Sequence, residues 1–271
     1  MIFTFKPTKF SLYINSSKSK KTGRQIKALT GCDVVINCTL YDMSTYLPVC
    51  DVKKESIIIA NDKYTYLGYG WNKNDSILTM TTNINTYENY ISCVAMIKDG
   101  EKEEMKYSSQ LGGSAKRTAI GFNKNKELII FCTQNSSNKM TMGQIQDKMY
   151  SVGCLDSLNL DGGGSTQFYS NIYGEIYSSR IVQNFLCIWV DKCYNVCPYE
   201  QPTEVIKIGQ SGFGVRWLQW NLNNLGYKLD TDGSFGNATL SSLKLFQKNN
   251  NLVSDGYCGP ATKNKIKELM K

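Results

Sequence analysis

Chemistry in this 271-residue sequence concentrates in the run Asn159-Leu-Asp-Gly-Gly-Gly-Ser-Thr166. Leu158 and Leu160 alternate as in a strand, so Asp161 stands where a strand ends and a three-glycine turn begins. Glycine tolerates positive φ and lets a ligand approach the backbone. The N–H groups of Gly162, Gly163 and Gly164 are therefore candidates to meet an anion. A carboxyl group at that point could give or take a proton in acid–base chemistry, worth roughly 10²–10⁴-fold in rate. The competing reading is a tight turn whose aspartate caps its own loop. Neither a P-loop nor a dinucleotide fingerprint is present to explain the glycines otherwise.

Histidine is absent. That removes Ser-His-Asp and Cys-His catalysis and the usual zinc sites of hydrolases, leaving acid–base work to carboxylates, Lys, Tyr, Cys or water. Asp33, Asp42 and Glu175 are candidates for a second carboxylate. Of the 31 basic residues only four, Arg24, Arg117, Arg180 and Arg216, are arginine. In so lysine-biased a chain a retained arginine points to a need for a planar fork. Arg117 and Arg180 could each clamp an anion through paired N–H donors, with a structural salt bridge as the alternative. The ten cysteines are scattered and read as buried free thiols. Only Cys193 and Cys197 lie close together, and a bridge or a metal site there stays open. No cofactor is expected.

The elements that must position these residues can be read in outline. Residues 34–36, 56–59, 78–81, 128–131, 158–160 and 181–190 are strand candidates. Thr141 and Gln144 form a capping box ahead of Met142, Ile145 and Met149, and Gly153 closes that helix. A polar, proline-containing stretch, residues 192–203, precedes a helical pattern: Val215, Leu218, Leu222 and Leu225, then Leu240, Leu243 and Phe246, then Ile266 and Leu269. Asp232-Gly-Ser-Phe-Gly-Asn-Ala-Thr239 is echoed by Asp255-Gly-Tyr-Cys-Gly-Pro-Ala-Thr262. Each copy is a turn followed by a helix start, with Asn237 as a cap and Pro260 at a first helical position. The expectation is an α+β, mixed-sheet domain over 1–195 and a small three-helix domain over 203–271.

Several of these segments resemble known families. Met140-Thr-Met, the 158–166 run and Ser179-Arg-Ile-Val-Gln-Asn184 resemble the signature of the phosphodiester glycosidases. Val35-Ile-Asn37, followed by Cys-Thr-Leu-Tyr-Asp42, is similar to that family's Asn-small-Gly-aromatic-aromatic segment, and Arg117-Thr-Ala-Ile-Gly121 to its Arg-x-x-x-Gly strand. The resemblance covers roughly residues 30–190. Cys38, Thr39, Leu40 and Lys139 depart from it, reshaping the pocket wall beside Asn37. It implies hydrolysis of a glycosyl bond, with Asp161, Arg117 and Asn37 catalytic. Thr141, Asn159, Gly162, Gly163, Gly164, Ser165, Arg180 and Asn184 would then line the substrate. Residues 205–269 resemble a peptidoglycan-binding module of the kind attached to wall hydrolases.

The formal charge of +8 is spread along the chain with no basic run and interleaved aromatics, which disfavours nucleic acid. No apolar run approaches a membrane span, and the N-terminus lacks a signal-peptide pattern. These readings combine into a monomeric wall hydrolase, an endolysin or autolysin made in a bacterial host's cytoplasm, which after release cleaves a glycosidic bond in a wall polymer; the alternatives are a hydrolase of sugar-1-phosphodiester linkages in a teichoic acid and a wall-binding protein without activity.

Overall fold

Apolar side chains alternating between two buried faces make strands the dominant element of the first 190 residues. A computed structural model of the chain describes residues 1–61, 67–170, 173–191, 197 and 199–270. Two units part between Tyr194 and Asn195, the first α+β and the second helical. Cys193 lies outside the described residues.

Three antiparallel sheets build the first unit. One runs β1 (Ile2–Phe5), β12 (Leu128–Cys132), β11 (Thr118–Asn123), β13 (Cys154–Asn159), β9 (Val94–Lys98), β10 (Glu101–Lys102). A second runs β15 (Gly174–Ile176), β14 (Phe168–Ser170), β3 (Val34–Asn37), β16 (Asn184–Val190), β2 (Pro7–Ile14). The third runs β5 (Ile57–Ala60), β4 (Val52–Lys54), β8 (Asn89–Ser92), β6 (Gly68–Trp71), β7 (Thr79–Thr81). A shared core takes Phe3, Phe10, Ile36, Trp71, Ile120, Leu158 and Leu186 from all three.

β3 shows how burial selects sequence. Val34 and Ile36 enter that core, while Val35 faces the other way, against Ile26 of α1 (Gly23–Thr30), Tyr169 and Phe185. Covered on both sides, the strand has no polar position until Asn37. α2 (Met142–Ser151) begins at the Thr141–Gln144 capping box and buries Met142, Ile145 and Met149, as its pattern requires. β5 forms as a strand, with its three isoleucines exposed at the edge of their sheet.

The second unit packs α3 (Phe213–Asn224), α4 (Asn237–Asn249) and α5 (Pro260–Leu269) around Leu218, Leu222, Leu243, Phe246 and Ile266. Leu269 is exposed instead of buried, and Gly236, not Asn237, takes the cap position of α4. The repeated motif is one hydrogen-bond unit used twice. Gln219 donates to Asp232, the Ser234 carbonyl and Thr239, and accepts from the Gly233 N–H. Gln247 does the same with Asp255, Tyr257, Thr262 and Gly256. The unit reaches back past its helices. Tyr199 and Ile206 join its core, and the buried Lys263 ammonium donates to the carbonyls of Pro202, Thr203 and Glu204.

Candidate active site

The ends of β13 and β3, from different sheets, meet at Asp161. Its N–H donates to the Cys38 carbonyl (2.8 Å), and its own carbonyl accepts from Asn37 Nδ2 (2.7 Å). Asn37 Oδ1 in turn accepts from Thr118 Oγ1 (2.8 Å) and the Gln167 N–H (3.0 Å). This fully buried amide ties three strands together and fixes the backbone under Asp161. Its polar atoms are thus engaged internally, on the backbone that carries the Asp161 carboxyl.

The three glycines are explained one by one. A Cβ on Gly162 would lie 2.6 Å from the Lys116 carbonyl oxygen, and one on Gly164 would lie 2.7 Å from an Arg180 guanidinium nitrogen. Gly163 adopts φ +58°, where a side chain strains the backbone. The expected anion cradle is corrected at two of its three glycines: the Gly162 and Gly163 N–H groups donate to Asp161 Oδ1 and the Lys116 carbonyl, while those of Ser165 and Thr166 donate to the carbonyls of Gly162 and Gly163. The glycines serve close packing, and Asp161 does cap its own loop.

Ser165 Oγ, buried beneath the turn, is the hub of the site. It accepts from Arg180 Nη1 (3.3 Å), and its hydroxyl favours the ionised forms of both the Asp161 carboxyl and the Tyr41 phenol. Burial pushes the Asp161 carboxyl up to about 6, against the opposing pull of Ser165, the Gly162 N–H and the Arg180 charge. Burial and the Asp161 charge likewise hold the Tyr41 phenol above its usual range. Asp161, Ser165, Tyr41 and Arg180 therefore form one cluster holding an acid, two hydroxyls and a cation. Tyr41 was not among the candidates. Its signal was present, as the second aromatic position of the segment that starts at Asn37, but a neighbouring Leu40 obscured it.

Other expected residues lie elsewhere. The buried Arg117 guanidinium donates to the carbonyls of Met140 (3.0 Å), Leu111 (2.8 Å) and Gly113 (2.5 Å). Burial lowers its pKa, and its fork clamps loops in place of a phosphate or a carboxylate. Asn184, fully buried, spends its amide on Thr39 and Gln183 and so fixes the residues that lead to Tyr41. Asn159 is buried, its amide on the Leu160 carbonyl and its Oδ1 without a partner. Thr141 is occupied as the α2 cap. Of the second-carboxylate candidates, Glu175 pairs with Arg24 (2.6 Å) and Asp33 accepts from the Val190 N–H (3.1 Å). Asp42 closes a turn with Ser44 and Thr45 that lowers its pKa to about 2. None of the three acts on Asp161. Among the described residues no group of three Cys, Asp or Glu could hold a metal ion.

The helical unit carries a separate cleft of about 670 Å³ beside its first repeat, lined by Asn223, Tyr227, Lys228, Asp230, Asp232 and Asn237.

Asp161, at its strand end, is linked through Ser165 to the Arg180 guanidinium, in a three-sheet unit that a helical one follows in the chain. Residues 30–189 match the phosphodiester glycosidase family, and the chain belongs to it. Residues 211–266 match the putative peptidoglycan binding domain. The catalytic domain of zebrafish N-acetylglucosamine-1-phosphodiester alpha-N-acetylglucosaminidase shares the fold, with TM-score 0.55 and 18% identity over 68% of this chain and 73% of that one. A hypothetical protein from Synechocystis does so with TM-score 0.57 and 13% identity, over 70% and 59%. The zinc D-Ala-D-Ala carboxypeptidase of Streptomyces albus G is 44% identical over 64 residues, 22% of this chain. The chain spans a quarter of that relative's length. Among the described residues no helix is long and apolar enough to cross a membrane.

Proposed function

We propose that the chain hydrolyses a sugar-1-phosphodiester linkage in a bacterial wall polymer such as a teichoic acid, and that the helical unit holds it on peptidoglycan. One observation carries this reading: the single carboxyl group of the cluster, raised to about 6, sits beside a guanidinium instead of a second carboxylate. Cleaving a sugar–sugar bond calls for two carboxyl groups flanking the bond, because an alkoxide is a poor leaving group. A phosphate monoester leaves far more readily and needs its charge met. Asp161, protonated, donates to the bridging oxygen, while Arg180 and the Tyr41 hydroxyl receive the phosphate oxygens. Water then adds to the anomeric carbon and releases a proton, which restores the acid form of Asp161. A raised carboxyl pKa is what a general acid requires near neutrality.

The helical unit supplies proximity to the polymer, an effect that can reach 10²-fold or more on an insoluble substrate. Within this reading the enzyme is an endolysin or autolysin that meets its polymer once it reaches the wall. Purified walls incubated with the full chain test it. New reducing ends should appear together with phosphomonoesters. Reducing ends without phosphomonoesters would favour cleavage of the glycan strand, and sedimentation with walls without products would mark a binding protein.

A further inference from the structure

The segment between β3 and β4 carries Tyr41 to the site and returns. Tyr41 bridges to Pro48, the Val49 N–H donates to the Leu40 carbonyl (3.0 Å), and that of Asp42 to Leu47 (2.8 Å). The segment is thus a small hairpin whose return arm runs through Val49 into Cys50. Nothing in the site's chemistry uses Cys50. Yet its place in the sheet is specific.

β4 pairs with β8, with Val52 opposite Ile91. The ladder continues outward, the Ser92 N–H donating to the Asp51 carbonyl (2.9 Å) and the Asp51 N–H turning to Ser92 Oγ (2.8 Å). One step further, the register sets Cys50 opposite Cys93. Residues 51 and 92 occupy the hydrogen-bonded position, so 50 and 93 fall at the non-hydrogen-bonded one, where antiparallel Cα atoms approach to about 4.5 Å. A disulfide spans roughly 4.4–6.8 Å between Cα atoms. Both side chains are buried in one apolar cluster, where the neighbouring Cys93 thiol and burial push the Cys50 thiol up.

We propose that Cys50 and Cys93 are a disulfide-forming pair, and that the bond closes the base of the Tyr41 hairpin. The oxidant is a small-molecule disulfide such as oxidised glutathione. One cysteine thiolate attacks it and expels one glutathione; the second cysteine thiolate attacks the mixed disulfide and expels the other. Two protein thiols lose two protons and two electrons, and the oxidant leaves as two thiols. In reducing surroundings the pair stays as the thiols described here. The bond closes a chain segment of some forty residues, which constrains the unfolded chain and corresponds to a rise in Tm on the order of 10 °C.

The test uses the full chain, unfolded and refolded in a mixture of oxidised and reduced glutathione, then alkylated and digested without reduction. A cross-linked peptide pair carrying Cys50 and Cys93 is expected, with a Tm about 10 °C above that of the same protein kept in dithiothreitol. Cys50→Ala should abolish both the peptide pair and the redox-dependent Tm difference; if it folds poorly, Cys93→Ala substitutes, and the wild-type peptide map decides on its own. Alkylation of both residues in the oxidised, folded protein would overturn the proposal, as would Cys93 bonded to the nearby Cys38. A Cys50–Cys93 bond that leaves Tm unchanged would overturn the clamping of the hairpin.

Discussion

Asp161→Asn should remove turnover and yet stabilise the protein above pH 6. The carboxyl titrates near 6 in the folded chain against an ordinary value of 3.8. A shift of about two units is worth roughly 3 kcal/mol at 1.36 kcal/mol per unit. Because the folded value is the higher one, folding favours the protonated form. The associated stability is fully present below about pH 4 and is lost as pH rises through 6. Asparagine keeps an oxygen to accept from the Gly162 N–H but cannot ionise, so it escapes that loss. At pH 8 the variant should be more stable by about 2–3 kcal/mol, roughly 5–10 °C in Tm for a domain this size, and at pH 4 the gain should vanish. Calorimetry of both proteins at pH 4, 5, 6, 7 and 8 measures the difference directly. A pH-independent gain, or a variant less stable than wild type at pH 8, would refute the claim that this carboxyl is held protonated by burial.

Catalysis should follow the same group: kcat/KM should be highest below pH 6 and decline tenfold per pH unit above it, a limb that a pH–rate profile would show missing if Asp161 acts only as a base. Arg180→Lys should cut kcat/KM about tenfold or more with Tm unchanged, because an ammonium cannot reproduce the fork; unaltered kinetics would return Arg180 to a packing role. Arg117→Lys should do the reverse, lowering stability by about 1–3 kcal/mol as buried carbonyls lose donors, while the folded fraction turns over normally. In the helical unit, a fragment from residue 197 should melt well above one from residue 203, which lacks Tyr199 and the Pro202 carbonyl that Lys263 holds; equal melting curves would show that the upstream stretch is dispensable.

What the sequence disclosed follows from how local its signals are. The α2 capping box, the strand running into Asp161, Pro260 opening α5 and the twin Asp-Gly turns all lie within a few residues of the feature they specify. Their roles could be read without knowing what they touch. The Gln219 and Gln247 hubs could not, since each reaches a turn eight or more residues away. The same limit governs the site. Whether Arg117, Asn37 and Asn184 face a ligand or a backbone carbonyl depends on sheet pairings between distant segments, and their amide and guanidinium groups suit either role. Tyr41 joins Asp161 only because β3 and β13 end side by side. The glycine run was legible as glycine but not as packing: the reason for two of its members lies in Lys116 and Arg180, far along the chain or across a sheet.

The central claim is that the bond from the anomeric carbon breaks and the phosphate departs intact. Hydrolysis of a sugar-1-phosphodiester in ¹⁸O-labelled water, followed by phosphorus NMR of the released phosphomonoester, tests it most directly. Water added at the sugar carbon leaves the phosphate unlabelled, with no isotope-shifted phosphorus line, and that is the result the cluster of Asp161, Ser165, Tyr41 and Arg180 predicts. A phosphorus line shifted by ¹⁸O would place the attack at phosphorus and contradict the account.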